Sequence, residues 1–111
     1  MVTGAFIFMT KECSPSTHNA VVRHKTGRVL MYAVNTIEEG AQLAKHLMEN
    51  EGCQIIELCG GFGEEGTRLV SAAVEGKIPL GYVVYLPEDL EKVEAFERYA
   101  DEEFERIKAM E

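Results

Sequence analysis

The stretch QIIELCGGFGEEG, residues 54–66, contains the transition that decides the fold. Its first six residues have the short apolar pattern of a strand buried on both faces. Three glycines around Phe62 then lead to two glutamates, which are favoured in the first turn of a helix because that end of the helix dipole is positive. This order predicts a strand that passes through a glycine turn into a helix over residues 64–75.

The neighbouring segments continue the alternation of strands and helices. Upstream, Thr36 and Glu39 match the T-x-x-E capping box, and an apolar stripe predicts a helix from Ile37 to Glu51 that ends at Gly52. Downstream, residues 80–85 have a third apolar strand pattern. Such alternation indicates a mostly parallel sheet with right-handed crossovers. We therefore predict an α/β fold, with helices packed on a small sheet in three layers or as an open sandwich.

The N-terminal third supplies two further strand patterns. AFIFM, residues 5–9, predicts a central strand buried on both faces. Residues 20–22 fit either a short strand or a helical turn. We favour the strand, because Lys25-Thr26-Gly27 would then connect it to residues 28–34 in a β-hairpin over residues 20–34.

Residues 87–111 predict one long, acidic, amphipathic C-terminal helix. They carry ten acidic and four basic side chains, a net charge of −6, against −2 for the rest of the chain. A helix of this length spans roughly 35 Å, which exceeds the size of a domain this small. Its apolar side chains, including Phe104 and Ile107, need a surface to cover them. We therefore expect a homo-oligomer that forms through this helix.

Length and composition exclude several classes of protein. The 111 residues suit one domain, residues 1–111, and the net charge of −8 argues against a nucleic-acid partner. No apolar run approaches the ~20 residues of a membrane span, and no signal peptide is recognisable, so we expect a cytoplasmic protein without membrane contact. Three cysteines favour free thiols, and no zinc or dinucleotide motif predicts a metal or a cofactor.

The loop Gly60, Gly61, Phe62 and Gly63 is the first candidate site. Ligands of parallel α/β sheets bind beyond the carboxyl ends of the strands, and backbone N–H groups at a helix start attract anions. We expect a small anionic molecule here, with His18 or Arg68 offsetting the charges of the nearby glutamates. The other interpretation is that these glycines only form a tight turn.

Glu57, Cys59 and His18 are the candidate catalytic residues. A carboxylate in a buried strand needs a partner, whether its role is functional or structural. Cys59 precedes a helix start, a setting that favours a reactive thiolate, and His18 would have to act as its base. The alternative is that Cys59 is an ordinary core residue.

The segments AFIFM, HNAVV, the capped helix after AVNT, and above all IELCGGFGEEG give the sequence a resemblance to a known family. It resembles a small uncharacterised prokaryotic α/β family, a domain of unknown function marked by the strand-to-helix ELCGGFG. The similarity spans residues 4–86, and the acidic helix after Leu86 departs from the pattern. The resemblance implies the fold and the position of the site, and it implies no activity.

Three hypotheses about function follow. The chain is a module or low-turnover enzyme that binds a small anionic metabolite at the glycine loop, a structural or regulatory homo-oligomer without such a site, or a thiol enzyme that uses Cys59. The sequence does not decide between an enzyme and a binding protein.

Overall fold

Five strands form one mixed sheet in the computed structural model, which describes residues 1–111. The strands are β1 (Val2–Met9), β2 (Asn19–His24), β3 (Gly27–Val34), β4 (Ile55–Leu58) and β5 (Leu80–Tyr82). Their order across the sheet is β2-β3-β1-β4-β5. Only β2 is antiparallel to its neighbour, so the prediction of a mostly parallel sheet with an N-terminal hairpin is confirmed.

Three α-helices follow the strands: α1 (Ile37–Glu51), α2 (Gly63–Ala73) and α3 (Leu90–Lys108). The limits of α1 are those predicted. The Thr36 hydroxyl accepts the N–H of Glu39 at 3.1 Å, and the Glu39 carboxylate accepts the N–H of Thr36 at 3.0 Å. Gly52 ends the helix in the left-handed region at φ 67°. None of the helices combines the length and the apolar composition that a membrane span requires.

Helices α1 and α2 cover a single face of the sheet. The crossovers β3-α1-β4 and β4-α2-β5 proceed in the same direction along the sheet, and right-handed crossovers that do so lie on the same side. The two helices also pack against each other. The protein therefore has two layers, with the core between them. The core residues are Ala5, Ile7, Leu30, Val34, Ala44, Leu47, Cys53, Ile56, Leu58, Phe62, Val70 and Val74.

The second face of the sheet has no helical layer, and we call it the open face. The strand register places on it Phe6, Phe8, Ala20, Val22, Val29, Met31, Ile55 and Glu57. The rings of Phe6 and Phe8 stack there with centroids 6.3 Å apart. The prediction that β4 is buried on both faces was wrong, because only its alternate residues are buried, whereas Phe6 and Phe8 on the open side of β1 are half-buried.

Several local predictions also need correction. The hairpin turn contains two residues, Lys25 and Thr26, because Gly27 already pairs with His24. The third apolar pattern forms only three residues of strand, Leu80–Tyr82. In α2 the inward side is formed by Gly66, Thr67 and Val70, while the apolar Leu69 is 56% exposed.

Helix α3 extends from the end of the sheet and ends beside the loop after β1. Lys11 forms an ion pair with Asp101 at 3.2 Å and lies over the Phe104 ring at 4.9 Å, and Lys108 pairs with Glu12. No residue of α3 is buried, and its apolar side chains Leu90, Phe96, Tyr99 and Ile107 are exposed. The single long C-terminal helix is confirmed.

We predict that Gly40→Ala lowers the stability of the fold. Alanine usually stabilises a helix interior by up to ~1 kcal/mol relative to glycine. At Gly40, however, a Cβ would lie 2.7 Å from the Phe62 ring, so the expected result is a net loss of about 1–3 kcal/mol. Urea unfolding measures this loss. The double variant with Phe62→Leu should lose less than the sum of the two single changes, and a Gly40→Ala chain more stable than the parent would contradict the packing.

Candidate functional site

The glycine loop forms a turn of 3-10 helix, Gly60–Phe62, that leads directly into α2. Phe62 is buried and fixes the loop to the core, because its ring lies where a side chain at Gly40 or Gly66 would be. Gly63 has φ 61°, a conformation that residues with a Cβ rarely adopt. The loop is therefore held in one conformation by Phe62 and by Gly63.

Both glycines at the start of the loop are closely approached by neighbouring groups. A Cβ on Gly60 would lie 3.2 Å from the Val83 carbonyl oxygen and 3.5 Å from the Tyr85 ring. A Cβ on Gly61 would lie 3.3 Å from the terminal methyl of Met9. The loop thus lies beside the carboxyl ends of β1 and β5, at the edge of the sheet where the sequence placed the site.

The charges around the loop are mostly negative. Glu64 and Glu65 in the first turn of α2 are exposed. Arg68 donates from Nη2 to Glu64 Oε1 at 3.1 Å, so this cation is already paired with one of the two carboxylates. Unlike α1, α2 has no side-chain cap at its N-terminus. The main attraction for an anion is therefore the backbone of the first turn, opposed by two nearby carboxylates.

Cys59 is half-buried at the end of β4. Its sulfur accepts the N–H of Met9 at 3.2 Å, and so it bridges the ends of the two central strands. Cys53 is only 3% exposed, and burial raises the pKa of its thiol. The three cysteines are all free.

Glu57 lies on the open face with its side chain exposed to solvent. The expectation of a buried carboxylate in need of a partner was therefore wrong. The physical reason is that α1 and α2 cover only the face to which Ile56 and Leu58 point. Glu57 is paired across the sheet with Phe6 and Gly81, so it is a charge within an apolar surface.

His18 lies at the same end of the strands as the glycine loop, but beside β2 at the opposite margin of the sheet. Its Nδ1 accepts the N–H of Ser14 at 3.1 Å, and its carbonyl accepts the N–H of Ala33 at 2.9 Å. It therefore lies in line with β2, whereas Cys59 lies in line with β4. Three strand spacings, about 14 Å, separate these two positions. The structure does not bring His18 to Cys59 or to the glycine loop.

No group of three or more histidine, cysteine or acidic side chains is close enough together to hold a metal ion. The surface that sequence reasoning missed is the open face, which holds Val22, Met31 and Ile55. A signal for it was present, since Glu57 in the middle of an apolar strand is typical of a face that meets solvent.

Residues 2–98 match the sequence profile of a family described as a family of unknown function (DUF6506). The chain belongs to this family. The predicted resemblance to a family of unknown function is thus confirmed, and the match continues past Leu86 into α3, so the departure expected after Leu86 begins later in the chain. No curated protein and no solved structure matches the chain significantly.

We predict that iodoacetamide modifies Cys59 several-fold faster than Cys53 in the folded protein. Cys59 is half-buried and precedes a helix start, whereas burial both shields the Cys53 thiol and raises its pKa. Peptide mass analysis after timed labelling near neutral pH gives both rates. In urea the difference should disappear. Equal rates in the native state would show that Cys59 is as inaccessible as a core residue.

Proposed function

We propose that this protein works as the subunit of a homo-oligomer that assembles through α3. The observation that supports the proposal is that α3 leaves an apolar side uncovered by its own chain. Phe96 is 66% exposed, and Ile107, which is 49% exposed, shares its side of the helix. Exposed apolar patches of this kind mark interaction surfaces.

The contrast between the apolar and the acidic side of α3 supports the same proposal. A helix that is polar all round needs no partner, whereas this one has a continuous apolar stripe beside its acidic residues. Its ion pairs with Lys11 and Glu12 hold only its C-terminal half against the chain.

We also propose a cytoplasmic location, which the three free thiols support because disulfides are rare in a reducing compartment.

Phe96→Asp is expected to shift the oligomer strongly toward the monomer. A charge at the centre of a covered apolar stripe should raise the dissociation constant roughly tenfold or more. Sedimentation velocity over a range of micromolar concentrations measures the change. Ala95→Asp is the matched control, because Ala95 is exposed and lies about 100° around the helix from Phe96, away from the apolar stripe, and its change should leave association unchanged. A parent chain that sediments only as a monomer, or a Phe96→Asp chain that associates as the parent does, refutes the proposal.

Binding of a small anion at the Gly60–Gly63 loop is the second candidate function. The observation that favours it is the start of α2, which has no side-chain cap at the carboxyl edge of a mostly parallel sheet. Glu64 and Glu65 oppose a dianion, so the affinity should be modest. A thiol enzyme has less support, because His18 lies about three strand spacings from Cys59 and no other histidine follows a neighbouring strand.

Titration with phosphate and sulfate tests the anion site through backbone amide chemical shifts. We expect shifts confined to residues 60–66 that weaken as sodium chloride is added, because salt screens exposed charges. Gly61→Val should remove them, since its side chain would meet Met9. His18→Ala should leave them unchanged, given its distance from the loop. If residues 60–66 respond to neither anion at millimolar concentration, the glycines form only a turn.

A further inference from the structure

The chain exposes two apolar surfaces that do not cover each other. One is the open face of the sheet, where Val22 is 53% exposed and Ile55 is also exposed. The other is the apolar side of α3, which includes Phe96. Within one chain α3 is held beside the loop after β1 by Lys11 and Glu12, at the edge of the sheet.

We propose that α3 of one protomer packs across the open face of the sheet of a second copy, so that a two-fold dimer contains two such contacts. This inference rests on the proposed homo-oligomer and names the surface that α3 covers. In each protomer the sheet would then lie between α1 and α2 on one face and the partner's helix on the other. A two-fold axis makes the exchange reciprocal, because each chain both gives a helix and receives one.

The dimensions of the two surfaces agree. The 19 residues of α3 span about 28 Å at 1.5 Å per residue. Five strands at a spacing of about 4.8 Å are about 19 Å wide between the two edge strands, so one helix crosses all of them. Covered aromatic side chains bury about 150–250 Å² each. Each of the two contacts would cover the exposed Phe96 ring and apolar side chains of the open face, so both protomers would bury apolar surface.

The charges of α3 favour a partner's sheet over a second α3. Residues 13–37, which include β2 and β3, contain no aspartate or glutamate. Arg23 and Arg28 lie on the face that the helices cover, where Arg28 pairs with Glu51, and the open face carries the carboxylate of Glu57 on β4. Residues 87–111, which include α3, have a net charge of −6. Two α3 helices paired with each other would bring these like charges together, whereas the β2–β3 half of a partner's open face adds no negative charge. The sheet of a second copy is therefore the better partner for α3.

Val22→Asp and Val21→Asp form a matched pair for testing this contact. The two valines are neighbours in β2 with similar exposure, 53% and 45%, but Val22 lies on the open face and Val21 on the opposite one. We expect Val22→Asp to raise the dimer dissociation constant roughly tenfold or more, and Val21→Asp to leave it within about twofold. Sedimentation velocity measures association, and thermal unfolding confirms that both variants fold.

Mixing two variants distinguishes this inference from simple helix pairing. A Val22→Asp chain keeps an intact α3, and a Phe96→Asp chain keeps an intact open face, so together they can form one undamaged contact. We expect the mixture to associate more strongly than either variant alone. If Val22→Asp self-associates like the parent while Phe96→Asp does not, the inference is wrong and the α3-dependent oligomer remains. Equal effects of Val21→Asp and Val22→Asp also overturn the inference. A parent chain that is monomeric overturns both this inference and the proposed homo-oligomer.

Discussion

Right-handed crossovers that proceed in one direction along the sheet determine the layout of this protein. Because β3, β4 and β5 are joined in that direction by α1 and α2, both helices lie on the same face. The sheet then has one covered face and one open face. An apolar open face is costly in water, and we propose that the long α3, with its exposed apolar stripe, covers this face in another copy.

The glycine loop depends on the same layer of helices. Phe62 inserts between α1 and α2 where Gly40 and Gly66 leave space for its ring, and the loop that precedes α2 is thereby fixed. The loop is consequently part of the core packing as well as a candidate binding site. Its tight neighbours, such as the Val83 carbonyl, explain why glycine is needed there even without a ligand.

Much of this fold was predictable from local sequence signals. The capping box at Thr36, the turn at Gly52 and the strand-to-helix transition at Gly60 each have a local physical cause, and each is present in the structure. The open face was not predicted, because apolar residues such as Phe6 look alike whether a helix covers them or not. The separation of His18 from Cys59 depends on strand order, which no local pattern encodes.

The most direct test of the α3 contact is an isotope-filtered NMR experiment on dimers formed from one labelled and one unlabelled chain. It detects only contacts between protons of different protomers. We expect intermolecular contacts between the Phe96 ring and the methyl groups of Val22 and Ile55. Intermolecular contacts of Phe96 with α3 of the other chain alone, and none with the open face, would contradict it.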